Sequence, residues 1–351
     1  MVYFAVLLKV LAGIAGVLLI ILTLSAAVRS FVLPRSEVVG INVWVFQAIR
    51  TLFDLAARLA KTYADRDRVM AHYAPVALVA LPIVWLSIMS VGYTLVYWTM
   101  GEGGLIKCYL LSGSSLLTLG AHKSESLWVT IVTYSEATLG LLLLTLLLSY
   151  LPTIYQAFSR RETTVARIEL RAGTPSSAGA LLCWLNRSGA LNDDDTQWEE
   201  WEHWFVEIEE SHTSLPIITF FRSPQAGRSW VTAGGLILEA ANLLFSVIDM
   251  PRSPQVELTF KAGCLALNRV YRFFEDEAGS ESTDLVPHND PTQDAGRADF
   301  EALCQELAED GMAVRADRDA AWKHYQELRS RYATSLDFLA KLTMAPHLKT
   351  V

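Results

Sequence analysis

Three stretches of this 351-residue chain are apolar, almost free of charge and long enough to cross a bilayer, and they limit what it can fold into more than any other feature. Val10 to Val28 carries no charge over 19 residues, Tyr73 to Gly101 carries none, and Leu127 to Phe158 carries one, Glu136. A helix needs about 20 predominantly apolar residues to cross a hydrocarbon core ~30 Å thick. Inside that core every backbone N–H and C=O must be satisfied within the protein, so each stretch is expected to be helical. Pro82 in the second span is tolerable because neighbours can serve the carbonyl it frees, and Tyr150 and Tyr155 near the end of the third suit a membrane interface. A cleaved signal peptide competes for the first stretch, since Ser25-Ala26-Ala27 offers small residues. Against it, the one early basic residue, Lys9, sits inside an apolar run too long for such a peptide.

The rest of the chain is different in kind. Overall hydrophobic content is 52% and the net charge is −8, and most of the acidic excess lies after Ser159. This predicts a membrane part followed by a soluble part, and an acidic soluble part argues against nucleic acid as a partner. Cys108, Cys183, Cys264 and Cys304 are far apart with no C-x-x-C, so buried free thiols are expected rather than a zinc site or a disulfide framework.

Basic residues set the expected orientation. Arg29, Arg35, Arg50, Arg58, Lys61, Arg66 and Arg68 lie between spans one and two, and Arg160, Arg161 and Arg167 come after span three, whereas only Lys107 and Lys123 lie between spans two and three. The positive-inside rule then puts the short N-terminus and the re-entrant loop outside and the region after Ser159 in the cytoplasm; the expected location is the plasma membrane. The expected organisation is a first transmembrane helix over 1–30, a cytoplasmic amphipathic linker helix over 31–72, a helix–loop–helix module over 73–158 and a cytoplasmic helical domain over 159–351. In the linker, Ile49, Leu52, Phe53, Ala56, Leu59, Ala60 and Tyr63 recur at helical spacing, which predicts a helix lying on the inner leaflet or packed on the soluble domain.

In the soluble region, Thr196-x-x-Glu199 reads as a capping box before the aromatic stripe Trp198, Trp201, Trp204, Phe205 and Ile208, expected to be core or a subunit contact. Trp230 to Ile248 has Glu239 as its one charge and, with Gly234, Gly235 and Asn242, is expected to be a buried soluble helix rather than a fourth span. The tetrapeptide Arg-Ser-Pro-Gln occurs at 222–225 and at 252–255, ahead of two expected helices, and reads either as a turn-plus-helix repeat or as coincidence. Residues 279–297 read as a mobile loop, and a final helix is expected from about Ala316 to Leu342. Asp193-Asp194-Asp195 lacks the spacing of a calcium loop and reads as helix capping, and Glu199 with His203 reads as a surface pair rather than a metal site.

The segment from Gly101 to His122 carries the sharpest functional signal. A short helix from about Leu105 to Leu117 can enter the bilayer without crossing it, and Ser112, Ser114, Ser115 and Thr118 at its inner end would be costly facing lipid. Non-helical backbone at that depth is tolerated where it is buried in protein or lines a water-filled cavity. With Thr118-Leu119-Gly120 after Ser114-Ser115-Leu116-Leu117, the helix–loop–helix resembles the pore-loop cation channels of the potassium-channel superfamily, whose filter reads T-V-G-Y-G. The segment Leu151-Pro-Thr-Ile-Tyr-Gln-Ala-Phe-Ser-Arg-Arg-Glu162 resembles the stretch after the last span in bacterial membrane proteins of that type. The resemblance covers about a quarter of the chain.

The resemblance implies an all-α integral membrane protein with three transmembrane helices and one re-entrant pore loop, followed by a cytoplasmic helical domain. It further implies a homotetramer in contact with membrane lipid, no enzymatic activity and no cofactor beyond a permeant monovalent cation such as potassium. The filter maps onto Thr118, Leu119, Gly120, Ala121 and His122. Ala121 stands in place of the family's tyrosine, His122 in place of its second glycine and Lys123 in place of an acid, so potassium selectivity is not implied by the inner half alone. Glu136, an intramembrane carboxylate, is a functional residue by default; it is expected to brace the loop through Ser114 or Ser115, or else to face the pore. Gly140 is either a gating hinge or a small residue for close helix contact. No span carries an arginine ladder, so no voltage sensor of the usual kind is expected. Two other classes compete: a non-conducting membrane sensor or scaffold acting through its cytoplasmic domain, and an intramembrane serine hydrolase using Ser112 to Ser115 with His122.

Overall fold

The computed structural model describes residues 2–31, 40–174, 176–191, 195–225, 227–278 and 296–346. Among them all regular structure is helical, with one isolated bridge between Ile248 and Val314. The chain divides into two compact units, one of residues 1–59 and 72–155, the other of residues 60–71 and 156–351.

The first unit is built on three helices long and apolar enough to cross a membrane, as a membrane protein requires. They are α1 (Val2–Phe31), α4 (Tyr73–Met100) and the first part of α6 (Leu127–Ala172). α1 crosses α4 at a pair of glycines: a Cβ on Gly16 would lie 2.5 Å from the Gly92 carbonyl oxygen, and one on Gly92 2.9 Å from that of Gly16. Where lipid is as apolar as the side chains, such small residues let backbones approach and gain packing. α2 (Gly40–Arg58) lays Val45 and Ala57 against the unit, with Phe53 edge-on to Tyr73 at 6.0 Å, and leaves Trp44, Leu52, Leu55 and Leu59 exposed. The expected amphipathic stripe is therefore split: Ile49 and Phe53 pack, Leu52 and Leu59 do not. The short helix α5 (Leu105–Leu116) packs on α4.

The 31–72 linker, expected as one amphipathic element, divides between the units. Its second helix, α3 (Tyr63–Ala71), belongs to the second unit, where the Arg222 guanidinium donates to Asp67 at 2.5 Å and to the Thr343 carbonyl at 2.5 Å. The second unit contains the C-terminal part of α6 and α7 (Ala178–Arg187), α8 (Thr196–Ser214), α9 (Trp230–Ser246), α10 (Pro254–Ala278), α11 (Arg297–Glu309), α12 (Arg318–Arg329) and α13 (Ala333–Thr343). α9 is its central helix, every residue but Thr232 being buried, which accounts for a composition close to that of a membrane span. The α8 aromatic stripe is core, with Trp198 and Trp201 edge to face at 4.8 Å. All four cysteines are buried free thiols.

Several local expectations are corrected. The final helix is two, because Tyr332 is buried and its hydroxyl donates to Glu239 Oε2 at 2.7 Å, while Asn268 donates to the Arg331 carbonyl at 3.1 Å inside the break. The capping box at Thr196 does not form: Asp195 occupies the N-cap without a capping bond, and its carboxylate instead accepts the Ser253 hydroxyl at 2.9 Å. Asp193 and Asp194 lie outside the described residues, as does the expected 279–297 loop except Gly296 and Arg297, which open α11. The two Arg-Ser-Pro-Gln copies are not a structural repeat. Ser253 caps α10 by accepting from the Gln255 and Val256 amides, whereas the first copy starts no helix and α9 is capped by Ser229. Glu199 and His203 lie exposed on α8, and no cluster able to hold a metal occurs among the described residues.

Where α6 enters the second unit, Arg161 is buried and fully engaged. It donates to Glu162 at 2.8 Å, to the Ile218 carbonyl at 2.8 Å and to the Phe221 carbonyl at 2.6 Å, with the His212 ring nitrogen 3.3 Å away. Burial first, and the Arg161 charge second, hold the His212 imidazole well below its ordinary pKa.

Candidate functional site

α4 stops at Gly101, whose φ of +89° is open to glycine at no steric cost and turns the chain back through a pair of capping bonds to Trp98 and Tyr97. Gly104 then opens α5, whose inner face buries Cys108, Leu111, Ser112, Ser114 and Leu116. From Leu117 onward the side chains emerge: Leu117 is 54% and Leu119 69% exposed, and Thr118, Gly120, Ala121 and His122 are exposed as well.

The backbone here is under strain. Thr118 has φ +55°, a region a β-branched residue rarely enters, whereas Gly120 takes φ +66° at no steric cost. What holds this conformation is Ser114. Its carbonyl accepts the Leu119 amide at 2.8 Å and the Gly120 amide at 3.4 Å, and its hydroxyl accepts the His122 amide at 3.0 Å; the Thr118 amide goes to the Ser115 carbonyl at 3.0 Å. The end of α5 and the five residues Thr118 to His122 thus form one hydrogen-bonded knot. Below it, Ser124 donates to Glu102 at 2.5 Å and joins the two ends of the excursion.

Behind α5 lies a buried polar network. Glu136, fully buried on α6, accepts from Ser112 Oγ at 2.5 Å and from Tyr97 Oη at 2.6 Å. Ser112 is also 2.9 Å from Ser90 Oγ, and Tyr93 Oη lies 3.0 Å from Ser135 Oγ. Both carboxylate oxygens therefore have a donor, the condition under which a polar group can be buried without a large penalty. Three helices meet at this one side chain. Sequence reasoning placed the carboxylate beside α5 but named the wrong hydroxyls: Ser114 is taken by the His122 amide, and Ser115 bonds the Leu111 carbonyl at 2.9 Å. The direct partners it missed are Ser112 and Tyr97, with Ser90 behind Ser112; Ser90, Thr94 and Tyr97 form a polar stripe at helical spacing in an otherwise apolar helix, a signal open to reading.

Gly140 sits one turn beyond Glu136, and a Cβ there would lie 2.7 Å from the Leu116 carbonyl oxygen. The absence of a side chain allows the close approach of α6 to the end of α5. The Ser112, Ser114 and Ser115 hydroxyls bond Glu136, the His122 backbone and the Leu111 carbonyl respectively. No protein-family model, curated protein or solved structure matches this chain.

Proposed function

We propose that this chain is the subunit of a homotetrameric membrane channel that passes monovalent cations through the Thr118–His122 loop. The observation that carries the reading is the exposed backbone at Thr118 to Gly120, strained at Thr118 and tied to Ser114 between two helices long enough to span a membrane. Strain of this kind persists only where the surroundings over-determine it, and it gathers at functional sites. Non-helical backbone at membrane depth needs a protein or water-filled setting, and one chain offers its loop no such enclosure; a ring of copies does. Conduction is passive, through backbone carbonyls that replace an ion's hydration shell, and Glu136 braces α5 against α4 and α6 rather than facing the ion. In this reading the 156–351 unit is cytoplasmic and regulates or assembles the pore.

Ala121 and His122 favour a second reading, a non-conducting membrane scaffold acting through the cytoplasmic unit, because the outer filter positions lack the Tyr-Gly pair. Reconstitution of the full chain in liposomes separates the two. Cation flux from a verified tetramer is the expected result, and a tetramer that carries no cation current at any voltage, pH or ionic condition applied overturns the channel.

A further inference from the structure

The first Arg-Ser-Pro-Gln copy, which starts no helix, leads to a small cleft, open on one side, in the second unit. It is lined by Thr219, Arg222, Ser223, Arg228 and Ser229 at the N-terminus of α9, and by Trp230. Two of its hydroxyls have no hydrogen-bond partner: Thr219 Oγ1, in a residue 1% exposed, and Ser223 Oγ, in a residue 9% exposed. The contrast with Ser253 is direct, since the same residue in the second copy spends its hydroxyl on capping. A buried hydroxyl without a partner is costly, and two facing one cleft call for an occupant with acceptor oxygens. The positive end of α9 favours an anion, and two guanidinium groups add to it once they are released from their present partners. Each guanidinium is currently paired with an acid on another helix, Arg222 with Asp67 on α3 and Arg228 with Glu169 on α6.

We infer that this cleft binds the phosphate group of a phosphate monoester, gripped by the Thr219 and Ser223 hydroxyls and the two arginines at the α9 N-terminus. As it stands the cleft has room for little more than a water, so the phosphate enters by parting the Arg222–Asp67 and Arg228–Glu169 pairs, and the rest of the ligand stays outside. Binding draws Arg222 from Asp67 and Arg228 from Glu169, loosening two side-chain links of the second unit, one to α3 and one to α6. Any effect of this on conduction rests on the channel reading above; the binding itself does not.

Isothermal titration of the purified full chain in detergent with inorganic phosphate at constant ionic strength is expected to give saturable binding. Thr219→Val with Ser223→Ala is expected to weaken it by about tenfold or more, two hydrogen bonds to a charged ligand being lost. Glu169→Gln is expected to tighten it several-fold, because the carboxylate competing for Arg228 is gone, an effect that a purely structural hydroxyl pair does not produce. Ser253→Ala is expected to leave the affinity unchanged. Glycerol 3-phosphate in solution and phosphatidic acid in nanodiscs distinguish a soluble ligand from a lipid headgroup; tighter binding of either supports the site and names its source. A helical wild-type protein with no saturable phosphate binding, its hydroxyls served by water alone, overturns the inference. So does unchanged affinity in folded Ser223→Ala together with unchanged affinity in Glu169→Gln. Because no ion flux is measured, a protein that binds phosphate but carries no current refutes the channel and leaves this site standing.

Discussion

Each unit buries one carboxylate in the middle of an apolar helix, and the two are solvated in the same way. Glu136 accepts from Tyr97 and Ser112, and Glu239 accepts from Tyr325 and Tyr332. The difference is in what stands beside them. Glu239 is enclosed on all sides by core, with Arg329 donating to the Tyr325 hydroxyl at 3.0 Å and Asn242 donating to the Tyr325 carbonyl at 3.1 Å. Glu136 is just as buried, but it holds α5, and α5 ends in the strained, exposed knot at Thr118. An identical device therefore fixes a fold in one unit and supports an outward-facing loop in the other. A buried acid points to function through what it braces, not through its burial.

Substitutions test that comparison directly. The largest effect is expected for Glu239→Ala, which leaves two tyrosine hydroxyls unserved and destabilises the second unit by about 2–6 kcal/mol, read by denaturant unfolding. Glu136→Ala is expected to cost less, about 1–2 kcal/mol, because an unfolded chain within the membrane still finds polar partners. In the proposed channel Glu136→Ala is nevertheless expected to abolish flux and Glu239→Gln, which keeps the shape, to retain it; equal flux in Glu136→Ala and wild type breaks the distinction. Gly140→Ala is expected to destabilise the α5–α6 contact by about 1–3 kcal/mol, since its Cβ meets the Leu116 carbonyl, whereas Gly113→Ala, where nothing lies within 4 Å, is tolerated.

The next effect depends on pH. His212 has a folded pKa depressed far below its unfolded value, so the unfolded chain binds the extra proton first. Its contribution to stability is fully present above about pH 6.5 and is lost as the pH falls below that, at up to about 1.4 kcal/mol per pH unit. Thermal unfolding of His212→Gln between pH 7 and 5 is expected to be flatter than wild type by that amount; identical slopes refute the assignment. Smallest is Thr118→Gly, which relieves the left-handed strain and is expected to stabilise the loop by about 1 kcal/mol while changing the current, read as melting temperature against conductance.

How much of this was legible beforehand differs by residue. The three helices long and apolar enough to cross a membrane, the buried α9 and the aromatic stripe of α8 all follow from run length and helical spacing, which depend on near neighbours alone. Glu136 was legible as an acid that must find donors, and α5 as their source, but the choice of Ser112 over Ser114 was not. That choice depends on which hydroxyls the loop amides had already taken. The break after Arg329 was not legible either: helix propensity runs straight through it, and it is the pull of Glu239 on Tyr332 that interrupts the helix.

By itself, the sequence determined where the helices are and which of them are long and apolar enough to cross a membrane, because hydrophobicity and periodicity are properties of contiguous residues. Tertiary structure alone decided which donors each buried acid takes, that Gly140 serves close approach, that α3 joins the second unit, and that Thr118 adopts a left-handed backbone. Each of these is settled by groups far apart along the chain, Tyr97 and Glu136 by 39 residues and Glu239 and Tyr332 by 93, competing for a limited number of hydrogen-bond partners where water is excluded.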